Sequence, residues 1–515
     1  MTATSRQHGD KVGTRGVHDK ARAVLASGAA VASAYFLGVL LLLPLIHAFE
    51  LNTDEGINLQ KARLVNAGYA LYTEVWSDQP PLLTWMLAGT QRVSGGSVVA
   101  GRVLVLAMCG VLIGALFGVV RRSVGVWAAI VSAAALAMSQ GFLTLSVSVM
   151  VGLPALAFAM VAVWLVRLYG QKKRGWMLAA SGVCMALSMM TKMFTGFLVP
   201  LLLLEVVRLT VQRNGSAETG RRAPAWWTAC LLWAGCFTAV MLAIWFGSGL
   251  NYGQLVGTHV AAQDVEALEK YDGSSVVPEV LMQNWVIIGF AVVGVVFAIV
   301  GRRWDAALPG GWLGIALVIL LNHQPVWPHH GALLTIPLAW LAGYSVLTFA
   351  GLGSVRLSRR AAVGIGAAGV AVVIPAMIYV LPKLASYGEG YDDDRRIEVV
   401  ETVRERGRRN PWIITDDSMI AVRAGLLTPP QATVLSNKRR RSDPAFDQTV
   451  ISAIEAYEPG QIMLRHDVYS PVLIAFIERR YERVTDFGAR LYYVLPGTDQ
   501  PDYPTPGQGD APAAN

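Results

Sequence analysis

Of the chain's 515 residues 54% are hydrophobic and only 15% are charged, with a formal net charge of +8, whereas soluble chains carry roughly 25% charged residues. The apolar residues fall in blocks of about 20, the length that crosses a hydrocarbon core roughly 30 Å thick. An ordinary soluble protein, whose elements would show periods of 3.6 or 2, is therefore excluded, and the basic balance needs no nucleic-acid partner because the cations follow the loops.

In chain order the blocks predict about eleven membrane spans: 23–48, 98–120, 124–141, 147–168, 176–190, 194–210, 225–247, 284–301, 308–322, 331–350 and 361–382. The first is too long for a signal-peptide core, and no Ala-x-Ala site follows it, so a retained anchor is expected. With residues 1–22 in the cytoplasm, the inner segments hold 20 Lys and Arg and the outer loops only six: Lys61, Arg63, Arg92, Arg102, Lys192 and Lys270. That asymmetry sets the orientation, and an odd number of spans leaves the C-terminus outside. The expected localisation is the cell membrane. Cys109, Cys184, Cys230 and Cys236 all fall in predicted spans, where Cys behaves as a small hydrophobe. No disulfide framework or metal–thiolate site follows from them.

Three outer segments are long enough to carry function. Residues 49–97 form a polar loop whose stretch 81–91 is too short to span and suits the interface. Residues 248–283 form a second loop with a short helix near 261–269. Residues 383–498 read as a small extracytoplasmic α/β domain with a partly parallel sheet. Its helices are expected at 395–408 (with Ile397, Val400 and Val403 apolar), 446–457 and 471–483, and its strands at 412–415, 461–464 and 490–495. Residues 499–515 are rich in Pro and Gly and have the composition of a disordered tail. The fold class expected is thus an α-helical polytopic membrane protein, with a membrane domain over 23–382 and a small C-terminal α/β domain.

The segment after the first span, Asn52-Thr53-Asp54-Glu55-Gly56, concentrates chemistry. A carboxylate at the membrane surface is ionised at neutral pH and can take a proton from an attacking hydroxyl. The same acids also suit the first turn of a helix, where they complement its dipole.

The run DEGINLQKARLVNAGYALYTEVWSDQPPLLTW resembles the first exported loop of the GT-C superfamily of glycosyltransferases. The likeness is greatest to the glycosyltransferase family 39 and protein-mannosyltransferase-like group of bacterial type. Asp54, Glu55, Gly56, Ala62, Gly68, Tyr72, Asp78, Pro80 and Pro81 match that group's pattern in order. Residues 182–192, ending in Thr191-Lys192, resemble its segment that sets a Lys at the outer end of a span. Residues 322–330, ending in His329-His330, resemble a bacterial loop that precedes an apolar Pro-Leu-Ala run, here Pro337-Leu338-Ala339. Two departures stand out. Gln79 replaces the Lys usual before Pro-Pro, and Gly152 stands where many relatives carry an acid.

The resemblance implies transfer of a mannose-like sugar, with inversion, from a polyprenyl-phosphate donor to an acceptor hydroxyl on a lipid, glycan or protein. Asp54 would be the base, with Glu55 beside it as a second catalytic candidate or an orienting group. Lys192, Arg102, His329 and His330 would meet the donor phosphate and stabilise the leaving group. The alternative for Lys192 is snorkelling to headgroups. No cofactor is required. Some bacterial aminoarabinose transferases of the superfamily hold zinc, and Asp78, His259 and His330 fall at similar places, an N/O set suited to zinc. The Asp392-Asp393-Asp394 run and the Lys438-Arg439-Arg440-Arg441 run read as solvated, the latter alternatively as a contact to lipid headgroups or an anionic polymer. A lipid or glycan transporter is the competing class. It would need ionisable groups inside the spans, and the spans predicted here are nearly free of them.

Overall fold

The computed structural model describes residues 27–42, 44–211, 225–261, 271–347, 394–465, 468–487 and 490–497. The apolar helices are α1 (Ser27–Leu42), α4 (Val98–Ser123), α5 (Val126–Met138), α6 (Gln140–Ser146), α7 (Gly152–Lys172), α8 (Gly175–Met189), α9 (Leu198–Val211), α10 (Trp226–Ser248), α12 (Gly273–Gln283), α13 (Trp285–Val300), α14 (Ala307–Leu321) and α15 (Ala332–Ala342). Between them lie α2 (Thr53–Asn66), α3 (Leu82–Ser94) and the short α11 (Thr258–Ala261).

Among the described residues five helices are long and apolar enough to cross a membrane, or seven when each of two bent pairs counts as one span. The expected count of eleven is therefore not reached there, and the span at 361–382 lies outside the described residues. The stretch expected as one span at 124–141 bends by 73° between α5 and α6, and α12 meets α13 at 85°. The two bends are tied together: Ser139 Oγ donates to Asn284 Oδ1 at 2.9 Å, and Asn284 Nδ2 donates to Val280 O at 2.8 Å. Polar side chains at broken helices within an apolar bundle satisfy one another in this way because no water is at hand.

Small residues set the helix spacing. A Cβ on Gly182 of α8 would lie 2.3 Å from Trp233 O of α10, and Trp233, fully buried, donates from its indole to Ser181 Oγ at 3.0 Å. At the end of the bundle where α7 and α9 terminate, Arg167, Glu205, Arg208 and Asp305 form a network with contacts of 2.7–3.5 Å.

The C-terminal segment holds α16 (Asp394–Gly407), β1 (Ile413–Thr415), α17 (Ser418–Ala424), α18 (Asn437–Ser442), α19 (Phe446–Tyr457), β2 (Gln461–Arg465), α20 (Pro471–Glu478), β3 (Glu482–Phe487) and β4 (Arg490–Val494). Its sheet has the order β1-β2-β4-β3, with β1 and β2 parallel and the other pairs antiparallel. The helix expected over 471–483 stops at Glu478, because 482–487 pairs with β4 instead. Helix α17 has no counterpart in the sequence reading; seven residues ending at Gly425, whose φ of +82° closes the helix, are too few for a visible period. Val400 and Val403 are buried as expected, while Ile397 is exposed.

This segment packs directly on α2. Arg423 donates to Ala48 O and Phe49 O at 2.7 Å, and Gln60 Nε2 donates to Leu426 O at 2.9 Å. Arg396 bridges Glu50 at 3.0 Å and Asp417 at 2.9 Å. The Phe49 ring lies against the guanidinium groups of Arg396 and Arg423, 4.3 and 4.6 Å from its centroid, favourable cation–π distances.

Candidate active site

The site is built around the N-terminus of α2. Asn52 caps the helix, its Oδ1 accepting from Asp54 N at 3.0 Å, and the two acids that follow complement the dipole. Successive helical residues point about 100° apart, so the three residues of the Asp-Glu-Gly motif serve three directions.

Asp54 is half-buried and lies among the charges of Asp78, Lys192, Lys438 and Lys61. Glu55 turns inward, fully buried, and accepts from Arg102 Nε at 3.0 Å and Nη2 at 2.8 Å, from Leu51 N at 2.7 Å and from Val149 N at 2.9 Å. Gly56 meets the C-terminal segment: a Cβ there would lie 2.3 Å from Met419 N of α17.

Two expectations are corrected by this arrangement. Arg102 does not reach a donor phosphate, because its side chain is fully buried between Glu55 and the carbonyls of Ile46 and Ala48, at 3.0 and 2.6 Å. Glu55 does not face those charges, because the same pairing and two backbone amides take both of its oxygens.

Asp54, Asn58 and Lys61 lie at i, i+4 and i+7, one face of α2. Asn58 Nδ2 fixes that face by donating to Val149 O at 2.8 Å. Lys61, 1% exposed, donates to Ser77 Oγ at 3.1 Å and pairs with Asp78 at 3.9 Å.

The loop carrying Asp78 is held by Tyr72, whose φ is +71° and whose hydroxyl donates to Gln79 O at 2.9 Å. Gln254 ties it to the loop after α10 through Tyr72 O and Ser77 N, at 2.9 and 3.1 Å, and His259 follows from there. At the Pro-Pro pair, Leu82 N donates to Met190 O at 3.0 Å, which sets Lys192 beside the first loop. Lys192 itself is placed by its backbone N donating to Ser188 O at 2.9 Å.

The charges act on one another. Burial raises the Asp54 carboxyl, as does Asp78, against the opposing ammonium groups of Lys192, Lys438 and Lys61. Burial would also raise Asp78, yet Lys438, Lys61 and His259 hold it well below the usual carboxylate range. Burial brings Lys192 down to about 8, opposed by Asp54 and Asp78. Lys61 is lowered by burial, with Asp78 and Asp54 opposing.

Beside Lys192 a cavity is lined by Gly152, Leu156, Phe194, Thr195, His329 and His330, among others. His330 stacks on Phe194, with centroids 5.4 Å apart and planes at 16°, and packs edge-on against His329 at 4.7 Å. Its Nδ1 accepts from Trp327 N at 3.3 Å, so the ring proton sits on Nε2 as a donor. Burial, reinforced by Lys192, drives both His329 and His330 well below their ordinary value and keeps them neutral.

The expected metal trio does not assemble. Asp78 and His259 come together, but His330 does not join them. Among the described residues no group of three His, Cys, Asp or Glu side chains has the arrangement of a metal site.

Sequence reasoning missed Lys61 and Lys438. Lys61 sits at helical spacing from Asp54, a signal that was available. Lys438 was read as part of a solvated run. Instead its ammonium contacts Asp78 Oδ2 and lies 3.2 Å from His259 Nε2. The neighbouring Arg439 is 2% exposed, stacked 4.3 Å over Trp76.

Residues 78–245 match the family model for dolichyl-phosphate-mannose-protein mannosyltransferase. No curated protein matches the chain. Among solved structures, ArnT from Cupriavidus metallidurans bound to undecaprenyl phosphate is similar over 93% of this chain and 99% of its own, at 15% identity and a TM-score of 0.62. Its apo state gives 14% identity, 94% and 100% coverage and the same TM-score. The Archaeoglobus fulgidus oligosaccharyltransferase tethered to an acceptor peptide containing the NVT sequon is similar at 11% identity, over 93% of this chain and 74% of that one, with a TM-score of 0.51. Identities this low speak for the fold alone. The chain thus shares the fold of these structures, and its residues 78–245 are similar to the mannosyltransferase family model.

Proposed function

We propose that the chain is an integral membrane glycosyltransferase that moves a sugar, mannose-like in class, from a polyprenyl-phosphate donor to an acceptor hydroxyl on the extracytoplasmic side. The observation that carries this reading is the charge cluster around Asp54. Two carboxylates, Asp54 and Asp78, face three ammonium groups, Lys61, Lys192 and Lys438. One positive charge is left over for a phosphate, while Glu55 and Arg102 cancel each other apart from the cluster.

In the reaction the acceptor oxygen forms its bond to the anomeric carbon on the face opposite the donor phosphate. The bond from that carbon to the phosphate oxygen breaks, and polyprenyl phosphate departs with the electron pair. The hydroxyl proton passes to Asp54, whose raised affinity for protons suits a base working near neutral pH. Lys192 and the Nε2–H of His330 stabilise the developing phosphate charge, and His329 walls the same cavity. A single base suffices for inversion, which accommodates Gly152 where relatives carry an acid. The acceptor is a hydroxyl of a lipid, glycan or protein.

The test uses the full chain in nanodiscs with a panel of radiolabelled polyprenyl-phosphate sugars. Wild type should transfer or hydrolyse at least one of them. Asp54→Asn should lower the rate by about 10²–10⁴ while undecaprenyl-phosphate binding persists. Transfer by a folded Asp54→Asn protein at the wild-type rate removes the assignment of the base, and an inert wild type across the panel removes the transferase.

A further inference from the structure

The zinc suggested by the resemblance can be weighed against the residues that would hold it. His259 Nδ1 lies 2.9 Å from Leu255 O, and a carbonyl only accepts, so the ring proton is on Nδ1 and Nε2 presents a lone pair. A metal ligand needs that tautomer. The partner that Nε2 meets, however, is the Lys438 ammonium at 3.2 Å, and the same ammonium is held by Asp78. His330 presents a protonated Nε2 and takes no part. The position between Asp78 and His259 already contains a cation supplied by the chain.

We propose that Lys438, brought in on α18 from the C-terminal segment, stands in the place of a divalent metal and is a fixed cation that binds the phosphate of the polyprenyl donor. This rests on the proposed transferase reading and deepens it. An ammonium has three donors; Asp78 and His259 take two, and among the described residues no third partner is recorded for Lys438. The third is available to a ligand. Lys438 also lies close enough to Asp54 and Lys192 to act on both electrostatically.

Its placement is built rather than incidental. Ser436 caps α18 by accepting from Arg439 N at 3.3 Å. Arg439, 2% exposed, donates to Gln431 O at 2.7 Å and Val434 O at 3.2 Å. The departure at Gln79, where relatives carry Lys, is made good in this way by a Lys from 359 residues further along the chain. A point charge on a flexible stem suits a phosphate, and it is not removed by a chelator.

Two binding readouts test the idea on the full chain. Wild type dialysed against excess zinc should retain none stoichiometrically. Lys438→His, which sets a third ligand between Asp78 and His259, should take about one zinc per chain. Zinc held by wild type and lost in Asp78→Asn would overturn the proposal, as would a Lys438→His protein that takes none.

In nanodiscs, Lys438→Met should weaken undecaprenyl-phosphate binding by about tenfold or more, the equivalent of about 1.4 kcal/mol. Lys438→Arg, which keeps the charge, should recover part of it, and this controls for a tail that fails to dock. Binding equal to wild type in a folded Lys438→Met protein, or equal Lys438-dependent binding of phosphatidic acid, refutes the phosphate assignment. A wild type that binds undecaprenyl phosphate through Lys438 yet transfers no sugar would defeat the transferase reading alone.

Discussion

Glu55 and Arg102 offer the most demanding prediction, because the resemblance gave Arg102 to the donor phosphate and left Glu55 a catalytic candidate or an orienting group, whereas the structure buries the two against each other. The perturbation is Glu55→Gln, nearly isosteric. In the wild type each carboxylate oxygen accepts one backbone N–H and one guanidinium N–H, at 2.7–3.0 Å, with both side chains 0% exposed. An amide turns one of those oxygens into a donor aimed at two donors, whichever way it is flipped, and leaves the Arg102 charge buried without a counter-charge. Breaking a buried pair from one side costs about 3–5 kcal/mol, a large fraction of a typical stability. The assay is thermal unfolding of the full chain in nanodiscs, followed by intrinsic fluorescence, beside transfer measured per folded molecule. The melting temperature should drop, and lost transfer should track lost folded protein. Removing both charges in Glu55→Gln/Arg102→Met should restore part of the stability, since paired replacement is cheaper than an orphaned charge. A Glu55→Gln protein with the wild-type melting temperature and transfer reduced about 100-fold would refute the reasoning and return Glu55 to the reaction.

Lys192, lowered to about 8, is charged below that pH and neutral above it. The kcat/KM for the donor should therefore fall as pH rises through about 8, and Lys192→Arg should push that limb upward; an unmoved limb excludes Lys192 from phosphate binding. On the acid side, the raised Asp54 loses its basicity as pH falls, so the acidic limb should lie above the ordinary carboxylate range and vanish from the residual activity of Asp54→Asn. Gly56→Ala would put a Cβ 2.3 Å from the backbone of Met419. Limited proteolysis should show the C-terminal segment loosened on α2, together with weaker donor binding, and a protease pattern identical to wild type would show that this close approach is not needed.

The membrane class and the position of Asp54 were legible because each rests on a local signal, apolar blocks and an acid just after a span. The grouping of Lys192 with the His329-His330 pair followed from the resemblance alone. Arg102 misled for a physical reason. A cation near the outer end of a span looks available, and nothing local reveals a carboxylate 47 residues earlier that neutralises it. Lys438 misled in the opposite sense, since a run of four basic residues is indistinguishable in sequence from a solvated loop. Its contact is with a carboxylate 360 residues away. The bends at Ser139 and Asn284 were hidden as well, because hydropathy averages over a window and does not register a single turned residue. The swap of helix for strand at 482–483 came from pairing with β4, a tertiary preference stronger than local propensity.

The union of α2 with the C-terminal segment has a consequence for the order in which the molecule is made. Asp54 leaves the ribosome well before Arg423 and Lys438, which follow some 370 and 384 positions later. At about 5–20 residues per second, the nascent site waits on the order of 20–75 seconds for the groups that complete it. During that interval Gly56 has no α17 against it, and Asp78 and His259 have no ammonium between them. The polar cluster around Asp54 and Asp78 is therefore complete only once the segment carrying Arg423 and Lys438 has docked.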